Sequence, residues 1–294
     1  MTKGKQILLL VGIGALLLVA GYFGAVFMAG HMAEQKVKEF FAGMDDVAHA
    51  EYGKVEVGLF SHEAVIHDLN VAVLGGRDIR VETFTLSRYE EQDGLPHVLK
   101  VRFAGVTLPV TPEYFGASAT DMQAMGYEEF RCDYAMDYEY HEKDKSFDLR
   151  ELSMAVADAG ELQLSFKLAN VNLKDLVNGG SSAMLVGIAG ASLRYADDSL
   201  LSRAVRVAAA DENLSEEQLM ERFHTAIDAE IETNRDQGEP FTVQVLEQLR
   251  RFMDNRKSLS VTLAPSEPVA VLQLLGLEDT AKVVDTLGIR VEAE

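Results

Sequence analysis

The stretch ELQLSFKL, residues 161–168, alternates apolar and polar side chains without interruption. Leu162, Leu164, Phe166 and Leu168 fall on one face of an extended strand, because successive side chains point to opposite sides of a sheet. The polar residues between them fall on the other face. A strand with one apolar and one wet face is typical of an antiparallel sheet.

The same alternation recurs toward the N-terminus. It is found in 55–59, 65–73, 99–103, 132–140 and 152–156. In the second of these segments the predicted apolar face consists of Val65, His67, Leu69, Val71 and Val73. Between 78 and 86 the apolar positions change phase, which predicts a bulge. Residues 111–127 break the pattern and predict a connector with a short helix.

From Ser199 onward the period changes to 3.6, which indicates helices. Ser215 with Gln218 predicts a capping box, and Pro240 suits the first turn of the next helix. A strand over 259–263, two short helices and a terminal strand complete the chain. We therefore predict an α+β protein: an N-terminal transmembrane helix, an antiparallel β-meander sheet, and a helix-rich C-terminal part packing on that sheet.

The transmembrane prediction rests on Ile7–Gly30, which are 24 residues without a charge. A helix of that length crosses a hydrocarbon core of roughly 30 Å. A cleaved signal peptide is the alternative, but its apolar region is typically about 7–15 residues long. Lysines flank both ends, and we favour a cytoplasmic N-terminus with the body outside.

Small residues recur every four positions inside this segment, at Gly21, Ala25 and Ala29. Such a face lets two helices approach closely in lipid, so these residues predict a helix-dimer face and a homodimer. The alternative is that Gly and Ala are simply common in membrane helices.

The sequence predicts five regions along the chain. They are a cytoplasmic N-terminus (1–5), a transmembrane anchor (6–30), a helical stalk (31–50), an antiparallel β-rich region (51–198) and a helical C-terminal region with a terminal strand (199–294).

Charge and cysteine content limit the choice of function. The net charge of −20 disfavours nucleic acid as a partner and flat adsorption onto the bilayer, because phosphate backbones and anionic headgroups are both repelled. Cys132 is the only cysteine, so no intrachain disulfide can form. Its spacing from Tyr134 and Tyr138 places it on a buried strand face, as structural filler rather than as a nucleophile.

One basic cluster is a candidate site for an anion or an acidic partner. It consists of Arg250, Arg251, Arg256 and Lys257, near the end of a predicted helix. Cations there also stabilise the negative end of the helix dipole, which is a sufficient structural reason for them.

Other candidate chemistry has ordinary explanations. His62 and His67 lack further ligands at metal-binding spacing, and adjacent carboxylates such as Asp197 and Asp198 are expected on solvated turns. We predict no catalytic residues, no metal and no cofactor.

The segment 55–71, VEVGLFSHEAVIHDLNV, resembles the strand, turn and strand that follow the anchor in AsmA-like and related inner-membrane proteins facing the periplasm. The resemblance covers the anchor and this opening. It implies repeated strands with an apolar groove, a role in envelope biogenesis or lipid handling, and a single-pass protein of the bacterial inner membrane with a periplasmic body. The segments 191–201 and 258–269 are similar to single-pass bacterial proteins without an assigned activity.

The leading hypothesis is a non-enzymatic, membrane-anchored extracytoplasmic module for cell-envelope assembly or maintenance. Its sheet is expected to present a surface or apolar groove to a lipid or an envelope protein. A solute-binding or sensory ectodomain and a hydrolase with a dispersed site are the alternatives. An open apolar trough, a closed polar pocket and converging carboxylates distinguish the three.

Overall fold

The computed structural model describes residues 48–57, 63–73, 77–92, 95–177, 181–277 and 280–294. These residues form an α+β protein with an antiparallel β-meander and helices after it. They divide into two compact units. Unit 1 comprises the described residues up to Tyr138 together with Ser153–Ala157, and unit 2 comprises Glu139–Leu152 and Asp158–Glu294.

Unit 1 is built from strands that follow one another along the chain. They are β1 (Ala48–Glu51), β2 (Lys54–Val57), β3 (Ala64–Val73), β4 (Arg77–Gln92), β5 (Leu95–Pro109) and β6 (Glu129–His141), with the end of β7 (Ser146–Val156). Strand order is β1-β3-β4-β5-β6, and β2 also pairs with β3. The predicted connector is confirmed as two short helices, α1 (Pro112–Phe115) and α2 (Ser118–Ala124).

The strands of unit 1 change phase along one line that crosses the sheet. Glu82 of β4 lies opposite Asp68 of β3 and opposite Gly105 of β5, as the paired residues on either side show. Asp68 and Gly105 both have positive φ, 53° and 63°. The inward face therefore passes from Ile66 to Leu69 in β3, so two residues rather than one separate successive buried side chains.

This change of phase corrects the sequence prediction for β3 and refines the one for β4. His67 does not share a face with Leu69, because the backbone turns at Asp68 between them; His67 is half-buried and opposite Lys54. In β4 the expected phase change is present, since Val81 and Phe84 are both buried. The register shifts in the pairing of β4 with β5 lie further on, between Leu86 and Glu91.

The core of unit 1 consists mainly of strand side chains. Its buried members are Ile66, Leu69, Val81, Phe84, Leu99, Val101, Val106, Leu108, Cys132, Tyr134 and Met154. Phe84 and Phe103 pack with ring centroids 4.9 Å apart, and Tyr114 and Phe115 of α1 pack against the cluster. The prediction that Cys132 lies on a buried strand face is confirmed.

Unit 2 combines a sheet with helices. Its strands are the start of β7, then β8 (Gly160–Ala169), β9 (Gly187–Asp197), β10 (Ser258–Leu263), β11 (Val269–Ala270) and β12 (Ile289–Ala293). Its helices are α3 (Leu173–Val177), a 3₁₀ helix (Ser181–Leu185), α4 (Leu200–Asp211), α5 (Glu216–Asp236), α6 (Pro240–Asn255), α7 (Val271–Leu275) and α8 (Thr280–Leu287). Strand order is β7-β8-β9-β10-β12, and β11 pairs with β9.

The starts of the long helices are those that the sequence predicts. The Ser215 hydroxyl accepts from the Gln218 N–H, and the Gln218 side chain accepts from the Ser215 N–H, so α5 begins with a capping box. Pro240 is the first residue of α6. Gly276 and Gly288 follow the last residues of α7 and α8, as expected.

Helix α6 covers one end of the apolar sheet face of unit 2. Phe252 meets Tyr195 of β9 edge-on, with ring centroids 6.0 Å apart. At the outer strand, the N–H of Ala293 points away from β10 and donates to Gln248 Oε1 of α6, at 2.9 Å. The N–H of the next residue, Glu294, points toward β10 and donates to the Ser258 carbonyl.

The predicted anchor and its helix-dimer face at Gly21, Ala25 and Ala29 lie outside the described residues. So does the predicted stalk, except for residues 48–50, which belong to strand β1 and not to a helix. In the part of the chain that the structure describes, no helix is both long and apolar enough to cross a membrane.

Candidate functional site

The apolar face of unit 2 carries a row of side chains that crosses three strands. Leu164 of β8 pairs with Leu193 of β9, and Leu193 pairs with Val261 of β10. We call these three residues the apolar row. Leu193, at the centre of the row, is 41% exposed. Val291 of β12, which pairs with Val261 at the end of the row, is buried. The helices therefore cover the apolar sheet face more completely at β12 than at β9.

A second exposed apolar surface lies where β9 begins. It consists of Met184 and Leu185 of the 3₁₀ helix and Leu272 and Leu275 of α7, which we call the apolar tip. Their exposed fractions are 47%, 54%, 55% and 68%. Neither helix contains a charged residue. Side chains of this size are normally buried, so four of them on two adjacent helices form a candidate contact surface.

Hydrogen bonds fix the backbone of the apolar tip. The Val271 N–H donates to the Val186 carbonyl at 3.0 Å, which joins the start of α7 to the end of the 3₁₀ helix. Asn170 Nδ2 donates to the Leu185 carbonyl at 2.9 Å. Val186 itself is buried with Val171 and Tyr140. The tip is therefore held above a packed cluster, and its exposure is a property of the fold.

The polar face of the unit 2 sheet has a depression of about 460 Å³ over Gly190, where no side chain fills the surface. Asp148 of β7 lies 3.9 Å from Arg150 and 3.8 Å from Lys167, and Arg150 also pairs with Glu139. These charges neutralise one another, so the depression presents no surplus charge to a ligand.

Two members of the predicted basic cluster have partners within the fold. Arg250 of α6 pairs with Asp228 of α5, with Nη1 and Oδ1 2.8 Å apart. Arg256 follows the helix with φ +50°, and its guanidinium donates to the Met253 carbonyl and to Ser202 Oγ of α4. Within the described residues, the structure shows no ion pair for Arg251 or Lys257. Two of the four cations thus stabilise the packing of the helices.

Arg250 belongs to a series of polar side-chain contacts along the α5–α6 hairpin. His224 Nε2 lies 2.7 Å from Asp254 Oδ1, and Arg235 Nη2 lies 3.5 Å from Glu247 Oε1. Each pair joins one residue of α5 to one of α6. They account for several charges that the sequence alone leaves without a role.

Burial perturbs several ionisable groups in unit 1. It raises the pKa of the Cys132 thiol to about 11 and that of Tyr138 to about 12. The pKa of Tyr134 is also raised by burial. A thiol with a raised pKa remains protonated at neutral pH and is a poor nucleophile, which fits a packing role for Cys132.

The acidic pair at 197 and 198 contains a structural residue that the sequence prediction overlooked. Asp197 Oδ1 accepts from the Tyr195 hydroxyl at 2.7 Å and from the Leu201 N–H at 3.0 Å, at the start of α4. Asp198 is exposed. His67, for which the sequence predicts no metal role, has Glu56 3.9 Å away, and the described residues contain no group of three or more metal-ligating side chains.

Two comparisons with known proteins found similarities, and the one with a family model covers mainly unit 2. A family model described as "Uncharacterized protein" matches residues 153–294. A protein of Aquifex aeolicus (strain VF5), also described as "Uncharacterized protein", is 26% identical over 156 residues, which are 53% of this chain and 49% of the relative. The chain thus spans about half the length of the curated relative that it matches. Neither similarity assigns a role to a residue.

Sequence reasoning identified the apolar face but missed the exposed residues on it. Leu164 was predicted to be apolar-facing, whereas Leu193 and the four residues of the tip were not singled out. The available signal was local: SSAML and VLQLL are uncharged in a chain with 25% charged residues.

Proposed function

We propose that this chain is a non-enzymatic, membrane-tethered extracytoplasmic module for cell-envelope assembly or maintenance, and that unit 2 binds a lipid acyl chain along its apolar row. The tether is the uncharged segment Ile7–Gly30, with the N-terminus in the cytoplasm of a bacterium. The AsmA-like resemblance of residues 55–71 agrees with this assignment.

The observation that carries the proposal is the exposure of Leu193 between Leu164 and Val261. An acyl chain that lay across β8, β9 and β10 would remove these side chains from water, at about 25 cal/mol per Å² of apolar area. The polar face of the same sheet offers only mutually paired charges around its depression. Unit 2 is therefore better suited to an apolar ligand than to a charged one.

Native mass spectrometry of the full-length protein, extracted gently from its membrane, tests the lipid proposal. We expect bound lipid on the wild-type protein and reduced occupancy on Leu193→Asn, because an amide at the centre of the row opposes an apolar ligand. Ser192→Asn is the matched control, since it is the adjacent residue on the other face of β9. Equal occupancy in the two variants, or no lipid on the wild type, would contradict the proposal.

The extracytoplasmic placement has a separate test. Protease added to spheroplasts should digest the body while the N-terminal segment stays in the membrane. A body that resists external protease until the membrane is opened would show that the orientation is reversed.

A further inference from the structure

We infer, on the basis of the tether proposed above, that the apolar tip inserts into a zwitterionic lipid bilayer at the boundary between headgroups and acyl chains. Met184, Leu185, Leu272 and Leu275 are the inserting side chains. Their backbone is held in place by the hydrogen bonds of Val271 and Asn170, so insertion needs no refolding of unit 2.

The charge distribution selects the bilayer type. The chain carries a net charge of −20, and an anionic membrane surface repels such a protein. The 3₁₀ helix and α7 contain no charged residue, and the nearby Asp175 carboxylate accepts from the Ser182 N–H at the start of the 3₁₀ helix. An uncharged surface with large exposed apolar side chains on an acidic protein matches a bilayer whose headgroups carry no net charge.

The tether allows the contact. Residues 31–47 separate the uncharged N-terminal segment from strand β1. These 17 residues span at most about 60 Å when fully extended. Because the anchor keeps the body next to the bilayer, even weak apolar contacts are made at high effective concentration.

The chain contains no tryptophan, which makes a direct test available. Leu275→Trp and Met184→Trp each place a single fluorophore on the tip, and Glu232→Trp places one on the exposed surface of α5 as the control. Each full-length variant is reconstituted into phosphatidylcholine vesicles brominated near the headgroup end of the acyl chain. The two tip tryptophans should lose most of their fluorescence, and the control should retain it.

Two further measurements make the result specific. Leu272→Gln, combined with Met184→Trp, should restore fluorescence without unfolding the protein, because more than half of Leu272 is already exposed to water. Replacing part of the phosphatidylcholine with phosphatidylglycerol at low salt should also reduce quenching, because the acidic body is then repelled from the vesicle.

Flotation of the vesicles separates the two proposals. Protein that does not float with its vesicles contradicts the tether and hence the proposed function. Protein that floats but shows equal quenching at Leu275→Trp and Glu232→Trp contradicts insertion of the tip and leaves the tether intact. A tip tryptophan that is blue-shifted but unquenched would show that protein covers the tip, which also overturns the inference.

Discussion

Unit 1 and unit 2 are both built on antiparallel meanders, but they differ in how many large apolar side chains they expose. Among the described residues, the large apolar side chains that are exposed are Met184, Leu185, Leu193, Leu272 and Leu275, and all five belong to unit 2. Most of the buried apolar residues of unit 1 belong to one cluster of strand side chains. Within the described part of the chain, unit 2 thus carries the exposed large apolar side chains on which both proposals above rest.

The largest expected difference between the units concerns leucine. Leu99 of β5 is fully buried, so Leu99→Ala should lower the free energy of unfolding by about 2–5 kcal/mol. Leu275→Ala in unit 2 should change it by less than about 0.5 kcal/mol, because the side chain already contacts water. Urea denaturation measures both values, and similar costs would contradict this difference between the units.

Two glycines give the next comparison. Gly105 of unit 1 has φ +63°, and a Cβ there would lie 2.5 Å from the Glu82 carboxylate, so Gly105→Ala should destabilise the protein by about 1–2 kcal/mol. In unit 2, a Cβ on Gly190 meets only the Leu263 carbonyl at 3.5 Å, so Gly190→Ala should be nearly neutral. Thermal unfolding of both variants tests this contrast, and equal shifts in Tm would refute it.

Alkaline pH should weaken unit 1 through its buried thiol. The pKa of Cys132 is raised from about 9 to about 11, so the unfolded chain loses this proton before the folded protein does. The stabilising contribution is therefore complete below pH 9 and is lost as the pH rises through 11. Urea midpoints measured between these pH values should fall, and Cys132→Ala should show a smaller fall. An identical pH profile for the variant would exclude the thiol as a cause.

The smallest effect is expected from the helix pairs of unit 2. Arg250→Gln removes the partially exposed pair with Asp228 and should cost about 0.2–1 kcal/mol, with less effect at high salt. Arg251→Gln, one residue further on, is the control and should be neutral. If capture of an acidic partner depends on Arg251 and Lys257 but not on Arg250, the cluster has a binding role besides its structural one.

Much of the fold is predictable because its signals are local. The face of Cys132 and the capping box at Ser215 each depend on residues a few positions apart. The error at His67 has a different origin. Asp68 adopts positive φ opposite Glu82, and a single aspartate in an alternating strand is not enough to predict this backbone conformation.

The candidate surfaces were less predictable than the strands. Periodicity identifies the apolar face of β8 and β9, but exposure of Leu193 depends on how far α6 extends across the sheet. The pairing of Arg250 with Asp228 likewise depends on how α5 packs against α6. Such outcomes arise from tertiary packing, which the spacing of residues along the chain does not encode.

The Gln248 amide at the outer edge of the unit 2 sheet has a consequence for solubility. An edge strand with free N–H groups is a template on which a second polypeptide can add a strand, and this is a common route to aggregates. By accepting from the Ala293 N–H, Gln248 withdraws one of these donors from any incoming strand. Edge-to-edge association of two copies at this strand therefore has one hydrogen bond fewer to gain.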